Sequence, residues 1–509
     1  MSKTTILLLI GVLLLTGPQC SNYRSKSLLT DSGYGPVHDR SVSKSIRNFR
    51  YQVDELLQAP YLQPAMIGIL IENIRTGEVV YSLNAHKLLM PASNMKLFTT
   101  AAATALLGPD FRYTTTLYSD GQVVDGTLNG NLFVRGSGDP TISGRYNNGL
   151  TTAIFENWAD SLKTRGIRKI NGAIIGDDNI FDDDRYGYSW ALDDHAYYYA
   201  AEINGLSFND NCIDLRMSPG HQVGQPATIR LFPQTDYVRI TNELITVSSD
   251  SMTNIDFSRT PGTNEIRIFG TIKAGSDTIV DWATVSNPTL FFLTVFKETL
   301  NRRGIEVKAI ADIDDTPIQR VDYQSMQRLA GWQSVPLSRI IFTLNKESQN
   351  SFAEHLQKTL GAVKTGRGDW KNGIQTEKNW LESIGIPKDQ IFIVDGSGLS
   401  RHNLVTPFQI VRVLKAIAVH PKFEMFFQSL PVGGVDGTLK NRFRGSAVAG
   451  HVYAKTGYVG RVRTLSGYLD AQNGRRYVFS IMLNHYPVAT STINQLQDDI
   501  LQRLYFLDD

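Results

Sequence analysis

Residues 91–107, PASNMKLFTTAAATALL, form the most informative segment of the 509-residue chain. The positions after Lys96 are nearly all apolar or small, which predicts a helix buried on every side. Pro91 is typical of a helix start, and Gly108-Pro109 is typical of a helix end. Because Ser93 and Lys96 are three residues apart, a helix places both side chains on one face, at the end where free backbone N–H groups remain.

A serine beside a buried lysine is a candidate pair of nucleophile and base. Burial disfavours the ammonium form, so it lowers the pKa of a lysine from about 10.4 toward the range in which the amine accepts a proton. The same spacing occurs at Ser41 and Lys44, but that pair lies beside polar sequence on an amphipathic, half-solvated helix. We therefore predict that Ser93 and Lys96 are catalytic and that the other pair is not.

Two further short motifs each occur twice. Ser-x-Asn occurs at 348–350, in a break between helical stretches, and at 207–209, where Ser and Asn are ordinary turn residues. Lys-Thr-Gly occurs at 455–457, in a strand, and at 364–366, where it is typical of a helix C-cap. A strand edge presents a cation, a hydroxyl and backbone N–H groups, and a glycine lets a substrate backbone approach. We predict that the copies at 348–350 and 455–457 join Ser93 and Lys96.

Strand patterns lie on both sides of this segment. They occur at 65–72 and 78–83 before it, and at 450–455, 462–469 and 476–483 near the end of the chain. They predict one sheet of about five strands covered by helices. Short β-rich pieces, turn signals and one helix fill the region between. We expect a split catalytic domain, 42–113 and 289–509, interrupted by a β-rich insertion, 114–288, of one or two small domains.

The amino terminus has the pattern of an export signal. Lys3 precedes an apolar run of about ten residues, too short for a spanning helix, which needs about 20. We expect a signal peptide at 1–20, a linker at 21–41, and a mature protein in the periplasm or cell envelope. Cys20 stands where a bacterial lipoprotein carries its lipid, although Gly17-Pro18-Gln19 departs from the usual small residues. Membrane anchoring through Cys20 therefore stays an open alternative.

Composition excludes several classes of function. Lys plus Arg number 51 and Asp plus Glu 49, so the net charge of +2 removes the electrostatic case for a nucleic-acid binder. Two cysteines provide neither a disulfide framework nor a cysteine metal cluster. The nine histidines lack metal-ligand spacing, so we expect no metal and no cofactor. Metalloprotease, nucleophile-elbow, P-loop and dinucleotide motifs are absent from the sequence.

The three selected motifs, in this order, are those of serine acyl-transfer enzymes that act on β-lactams or are inhibited by them. Further phrases occur in order at 136–140 (GSGDP), 176–178 (GDD), 345–350 (NKESQN), 395–401 (DGSGLSR), 436–439 (DGTL) and 465–468 (LSGY). From about residue 42 onward the chain resembles the low-molecular-mass class C penicillin-binding proteins, which are D-alanyl-D-alanine carboxypeptidases/endopeptidases. The resemblance implies an α/β fold, with a transpeptidase/β-lactamase-like domain of about five antiparallel strands interrupted by inserted β-rich domains.

The resemblance also implies a reaction. Ser93 attacks the carbonyl between two D-alanines of a peptidoglycan stem peptide or cross-link, and water hydrolyses the acyl-enzyme. Lys96 takes the serine proton and is kept neutral by the ammonium of Lys455, while Ser348 relays the proton to the leaving amine. The backbone N–H groups of Ser93 and Tyr458 form the oxyanion hole. Substrate contacts are implied for Asn350, Lys455, Thr456, Gly457, Tyr458 and Asp177.

Two of these positions carry alternatives. Tyr458 stands where such enzymes often have a small hydroxyl residue, a change that favours endopeptidase over carboxypeptidase work. Asp177 matches a position that contacts the amino group of a stem-peptide diamino acid, but it is also an ordinary turn aspartate before Phe181. The loop at 395–401 is expected to be structural.

Two other functions compete with the peptidase. One is a β-lactamase, which adds a deacylating carboxylate and is usually much shorter. The other is a non-catalytic envelope module that binds wall peptides or penicillin without turnover. A binding module does not need Ser93, Lys96, Ser348 and Lys455 together, and this favours the enzyme.

Overall fold

The computed structural model describes residues 43–318 and 321–508. The predicted signal peptide, the linker and Cys20 lie outside the described residues. Within the described part, no helix is both long enough and apolar enough to cross a membrane. The α-helices are α1 (Lys44–Leu57), α2 (Met95–Leu106), α3 (Ala153–Thr164), α4 (Pro288–Arg302), α5 (Leu337–Glu347), α6 (Asn350–Thr365), α7 (Trp370–Ser383), α8 (Pro407–Ala418), α9 (Phe423–Ser429) and α10 (Thr490–Tyr505).

The strands fall into two groups, one from the chain ends and one from the middle. Those of the chain ends are β1 (Met66–Asn73), β2 (Val79–Leu83), β16 (Val452–Val459), β17 (Val462–Asp470) and β18 (Arg476–Asn484). Those of the middle are β3 (Thr114–Ser119), β4 (Gln122–Val124), β5 (Thr127–Asn129), β6 (Leu132–Arg135), β7 (Lys169–Asp177), β8 (Cys212–Ser218), β9 (Thr228–Phe232), β10 (Arg239–Val247), β11 (Asn254–Arg259), β12 (Glu265–Lys273), β13 (Ile279–Thr284), β14 (Glu306–Asp312) and β15 (Gln327–Gln333).

The strands of the chain ends form one five-stranded sheet in the order β16-β17-β18-β1-β2, antiparallel throughout. This confirms the predicted fold class and sheet. All but the first residue of β18 are buried, because helices cover both faces of the sheet. Alternate side chains such as Leu70, Val478 and Met482 pack into one core with α8, while α10 packs on β17.

Helix α2 lies behind the sheet, between α6 and α8, and its residues 95–104 are all buried. The prediction of a helix buried on every side is therefore confirmed. Burying the threonines of α2 costs little free energy of folding, because their hydroxyls have hydrogen-bond partners. Thr100 donates to the Lys96 carbonyl at 2.6 Å and Thr99 to the Gly396 carbonyl at 2.9 Å. The turn that precedes α2 lies against β16.

Three sheets make up the middle of the chain. One has the order β15-β3-β6-β7-β5-β4, with β14 beside β7, and two three-stranded sheets have the orders β10-β12-β11 and β13-β8-β9. A single apolar cluster joins them, centred on aromatic contacts between α3 and α4. Trp158 of α3 packs against Phe296 of α4, with ring centroids 5.4 Å apart. One continuous core therefore serves all three sheets.

Two strands of the segment 289–509 pair with strands of the insertion. Strand β14 pairs in parallel with β7, and β15 pairs antiparallel with β3. The sequence analysis assigned these residues to the segment 289–509, because α4 looks like a return to the helical part of the chain. We propose instead that the inserted region ends near residue 334, where its sheet is complete.

Candidate active site

A short 3₁₀ turn, Ala92–Asn94, carries Ser93 directly in front of α2. Ala92 has a φ of +46°, a backbone conformation that residues with a side chain rarely adopt. Gly398 packs against this turn so closely that a Cβ on it would lie 1.9 Å from the Ala92 carbonyl oxygen. Strained backbone of this kind persists only where the surroundings hold it, as they commonly do at functional sites.

Lys96 is completely buried, and its amine has three neighbours. The Nζ atom lies 3.0 Å from the Ser93 Oγ, 2.6 Å from the Asn350 Oδ1 and 2.8 Å from the Ser397 carbonyl oxygen. Two acceptors therefore hold the amine while its third contact is the serine hydroxyl. This is the arrangement that the spacing of three on a buried helix predicts.

The environment of Lys96 favours the neutral form of its amine. Burial lowers its pKa from 10.5 to about 7, although the carboxylates of Glu354 and Asp395 oppose the shift. Burial, rather than the expected repulsion from Lys455, is therefore the cause. The repulsion between the two lysines is seen at Lys455 instead. Burial, and then the charge of Lys96, hold the pKa of Lys455 well below its usual value.

The Ser-x-Asn and Lys-Thr-Gly motifs contact each other through Ser348 and Lys455. Ser348 ends α5 with a φ of +62°, which turns the chain sharply into α6. The Lys455 Nζ lies 2.8 Å from the Ser348 Oγ and 3.0 Å from the Thr456 carbonyl oxygen. The structure thus brings Ser93, Lys96 and Asn350 together, and separately joins Ser348 to Lys455.

The rejected copies of the motifs have ordinary structural contacts. Ser207 donates to the Asn211 side chain inside the inserted core. Gly366 ends α6 in the left-handed conformation, as expected of a helix C-cap. Lys44 is the exposed first residue of α1, and Ser41 lies outside the described residues.

Strand β16 forms the edge of the five-stranded sheet beside Ser93. A Cβ on Gly457 would lie 2.7 Å from the Pro91 carbonyl oxygen and 3.1 Å from the Ser93 nitrogen. The missing side chain of Gly457 therefore leaves room for the Ser93 turn. A substrate backbone was expected in this space from the sequence. The Ala454 N–H donates out of the sheet to Pro431 at 2.9 Å. Because N–H directions alternate, the Tyr458 N–H points to the same edge.

The side chains of residues 456 and 458 differ in exposure. Thr456 is buried, and its hydroxyl donates to the Thr438 hydroxyl at 2.8 Å. The Lys346 amine lies 2.6 Å from the carboxylate of Asp436, two residues before Thr438. Tyr458 is 56% exposed.

Small polar residues tie β16 and β17 to the Ser93 turn. Asn94 donates to the Lys455 carbonyl at 2.8 Å and accepts from Ser466 at 2.7 Å. Thr464 donates to the Pro91 carbonyl at 2.8 Å. These residues were not among those predicted from the sequence. The available signal was a pair of small hydroxyl residues, Thr464 and Ser466, on one face of a predicted strand, where a buried hydroxyl needs a partner.

The loop at 395–401 is structural, as expected, but it also reaches the reacting groups. Asp395 accepts the N–H groups of Gly398 at 2.8 Å and Ser400 at 2.7 Å. Glu354 of α6 accepts those of Gly396 at 3.0 Å and Ser397 at 2.7 Å. The two carboxylates thereby aim the Ser397 carbonyl at Lys96, and burial raises the pKa of both. Sequence reasoning missed Glu354, although an acid inside a buried helix was a usable signal.

Asp177 lies elsewhere. It ends β7 and its carboxylate accepts from the Tyr323 hydroxyl and, at 3.2 Å, from the Asn179 N–H. It lines a cavity of about 940 Å³ with Arg135 and Tyr118. Of the described residues that line this cavity, none belongs to the Ser93 group. The structure therefore does not bring Asp177 into contact with the other predicted site residues.

One cluster of acids in the described part of the chain has the geometry to surround a cation. It consists of Asp178, Asp312 and Asp314, whose carboxylate oxygens lie within 4.8 Å of one another. The Arg185 guanidinium, 3.8 Å from Asp312, already supplies positive charge there. We assign no metal to this cluster, and it contributes nothing to the Ser93 site.

Comparisons with known proteins agree with this geometry. The model of the D-Ala-D-Ala carboxypeptidase 3 (S13) family matches residues 49–504. The D-alanyl-D-alanine carboxypeptidase of Actinomadura sp. strain R39 is 32% identical over 473 residues, which are 90% of this chain and 84% of that protein.

A crystal structure of penicillin-binding protein 4 (dacB) from Haemophilus influenzae superposes with a TM-score of 0.77 at 25% identity, over 89% of this chain and 99% of that one. A second structure of that protein, in complex with a β-lactam, has a TM-score of 0.72 at 24% identity, with the same coverage of both chains. The resemblance inferred from the sequence phrases is confirmed: this chain belongs to the D-Ala-D-Ala carboxypeptidase 3 (S13) family.

Proposed function

We propose that this chain hydrolyses the D-Ala–D-Ala bond of peptidoglycan stem peptides through an acyl-enzyme on Ser93, and that penicillin acylates the same serine. The observation that carries the proposal is the buried amine of Lys96, 3.0 Å from the Ser93 hydroxyl and held from behind by Asn350. Membership of a carboxypeptidase family gives the reaction, and the β-lactam complex of the Haemophilus influenzae protein supports the inhibitor class.

The proposed mechanism uses Lys96 as general base. Neutral Lys96 accepts the Ser93 proton while Oγ bonds to the substrate carbonyl carbon, and the N–H groups of Ser93 and Tyr458 stabilise the oxyanion. The C–N bond then breaks, and the proton passes through Ser348, which contacts the Lys455 amine, to the leaving D-alanine nitrogen. Water hydrolyses the ester and restores Ser93.

Lys455 is the proposed partner of the substrate's terminal carboxylate. Burial and then the neighbouring Lys96 lower the pKa of Lys455, and an arriving carboxylate would favour the ammonium form and raise that pKa. Thr456, held by Thr438, is proposed to donate to the same carboxylate once that hydroxyl contact opens. Charge is thereby neutralised locally, consistent with an overall net charge of only +2.

Three further proposals concern Asp177, the location of the protein and Cys20. Asp177 is proposed to bind the amino group of a diamino acid, which requires the substrate to extend to its cavity. The residue holds the Tyr323 hydroxyl in the substrate-free chain. We also propose that the protein acts in the periplasm or cell envelope, where its substrate lies, and that Cys20 is the point of lipid attachment if the chain is anchored.

The two competing functions are less well supported. A β-lactamase needs a carboxylate free to activate water at the acyl-enzyme. Glu354 and Asp395, whose charges act on Lys96, are instead engaged by backbone N–H groups, which favours slow deacylation. A binding module without turnover does not account for the contact of Lys96 with Ser93.

We expect the rate constant for acylation of Ser93 to rise with pH through about 7 and to level off above about 8. Only neutral Lys96 accepts the proton, and below a pKa of about 7 the neutral fraction grows tenfold per pH unit. Stopped-flow acylation by a fluorescent penicillin between about pH 5.5 and about pH 9.5 measures this profile. A profile that keeps rising up to about pH 9.5 without levelling off would mean that Lys96 keeps an ordinary pKa.

Incubation with purified wall peptides tests the proposed reaction. We expect free D-alanine from pentapeptide stems and cleavage of D-amino-acid cross-links. The ratio of cleaved cross-links to free D-alanine should fall when Tyr458→Ser replaces the exposed ring by a small hydroxyl. The two products are separated by chromatography, with Ser93→Ala as the blank. Release of neither product by a folded, penicillin-labelled protein would favour the binding module instead.

A further inference from the structure

One face of α6 holds the groups that position Lys96. Asn350, Glu354 and Lys358 follow one another at intervals of four, so their side chains line one side of the helix. Asn350 accepts from Lys96 directly, at 2.6 Å. Glu354 binds the N–H of Ser397, whose carbonyl is the other acceptor of the Lys96 amine.

Residues 182–199 of the inserted region, here named the crossing segment, run along this same face. At its start Asp182 accepts from the Lys358 amine at 2.6 Å. At its end the Tyr199 carbonyl accepts from the Asn350 side-chain amide at 2.7 Å. The start of the crossing segment contacts the later residue of α6 and its end contacts the earlier one, so the segment lies antiparallel to α6. Its last contact is with Asn350, which holds Lys96.

Between these two ends the segment reaches the 395–401 loop. The Trp190 indole N–H donates to the Asp395 carboxylate at 3.0 Å. The Trp370 indole of α7 donates to Glu354 at 2.7 Å, and the two indoles meet with ring centroids 6.4 Å apart. A buried carboxylate is costly unless hydrogen-bond donors surround it. Each indole supplies one such donor to one of the two acids that fix the loop.

We propose that the crossing segment is a positioning element for acylation: by fixing Asn350 and the 395–401 loop, it aims Lys96 at Ser93. The inference rests on the proposed function, in which Ser93 is the nucleophile and Lys96 the base. In the described part of the chain, no hydrogen bond joins the segment to Ser93. Trp190 and Tyr199 are therefore positioning residues, and the inserted region completes the active site of the split domain.

Gly187 supplies an independent way to disturb this contact. A Cβ on Gly187 would lie 2.4 Å from the Trp190 Nε1 and 2.5 Å from its Cε2, so Gly187→Ala has to displace the indole. The φ of Gly187 lies outside the left-handed region, and alanine is compatible with that backbone. The substitution therefore moves Trp190 away from Asp395 without removing it.

The test separates binding from acylation. For the full chain and for the variants Trp190→Phe and Gly187→Ala, stopped-flow labelling with a fluorescent penicillin gives the dissociation constant of the initial complex and the acylation rate constant. We expect the acylation rate constant to fall about tenfold in both variants, with the dissociation constant unchanged, because misplacing a base slows the chemical step only. Trp332→Phe, at an indole of β15 that packs on the inserted core, is the matched control and should behave as the native chain.

Other outcomes overturn the proposal. Acylation rate constants within about twofold of native in both variants would show that the crossing segment does not aim Lys96. A change confined to the dissociation constant would make it a binding element instead. Thermal unfolding midpoints identify a variant that fails to fold. If Trp190→Phe does not fold, the result for Gly187→Ala decides the test. Failure of the native chain to be labelled would contradict the proposed function, and is thereby distinguishable from failure of the positioning role.

Discussion

Replacing Ser93 by alanine is expected to abolish penicillin labelling and to lower D-alanine release by about 10⁴-fold or more. The hydroxyl supplies the atom that forms the ester, and it lies 3.0 Å from the Lys96 amine that accepts its proton. Without it, only direct attack by water assisted by the binding groups remains. Gel fluorescence after labelling and a D-alanine assay measure the two effects.

The matched control is Ser207→Ala, which removes the serine of the rejected Ser-x-Asn motif. That hydroxyl bonds to Asn211 within the inserted core, so labelling and hydrolysis should stay at native rates. Labelling of the Ser93→Ala variant at the native rate would remove Ser93 from the role of nucleophile.

Replacing Lys96 by alanine is expected to slow acylation by about 10³-fold while the protein stays folded. The variant keeps the nucleophile but loses the base, and it leaves the Asn350 oxygen and the Ser397 carbonyl without their donor. That loss costs about 1–3 kcal/mol of unfolding free energy, a fraction of the stability of a typical domain. Acylation kinetics and thermal unfolding, measured on the same preparation, separate the two effects.

Lys96→Arg distinguishes a base from a mere positive charge. Arginine keeps a cation at this position but stays protonated at any working pH, so it accepts no proton from Ser93. We expect its acylation rate to be as low as that of Lys96→Ala. Acylation at the native rate in either variant would take the role of base away from Lys96.

Local pattern was sufficient to predict the elements that place the nucleophile. The apolar run after Lys96 predicted a helix buried on every side, and α2 is buried over residues 95–104. The strand patterns of the two chain ends predicted the five-stranded sheet that covers it. Context also separated the duplicated motifs, because a buried helix start and a sheet edge have recognisable sequence patterns.

Long-range contacts were beyond the reach of the sequence pattern. The pairing of β14 with β7 leaves no trace in local periodicity, and the proposed later end of the inserted region was therefore not predicted. The same reason explains why Glu354 and Trp190 were missed. Each acts on Lys96 through residues far away in the chain, and a single acid or indole inside an ordinary segment does not reveal its partner.

The identity of the acylated residue tests the account most directly. The full chain is reacted with penicillin, digested, and its peptides are examined by mass spectrometry at increasing times. We predict a single stable adduct on Ser93, lost only slowly because the acids behind Lys96 are engaged with the 395–401 loop. An adduct on Ser348 or another residue, or no adduct on a folded protein, would contradict the account.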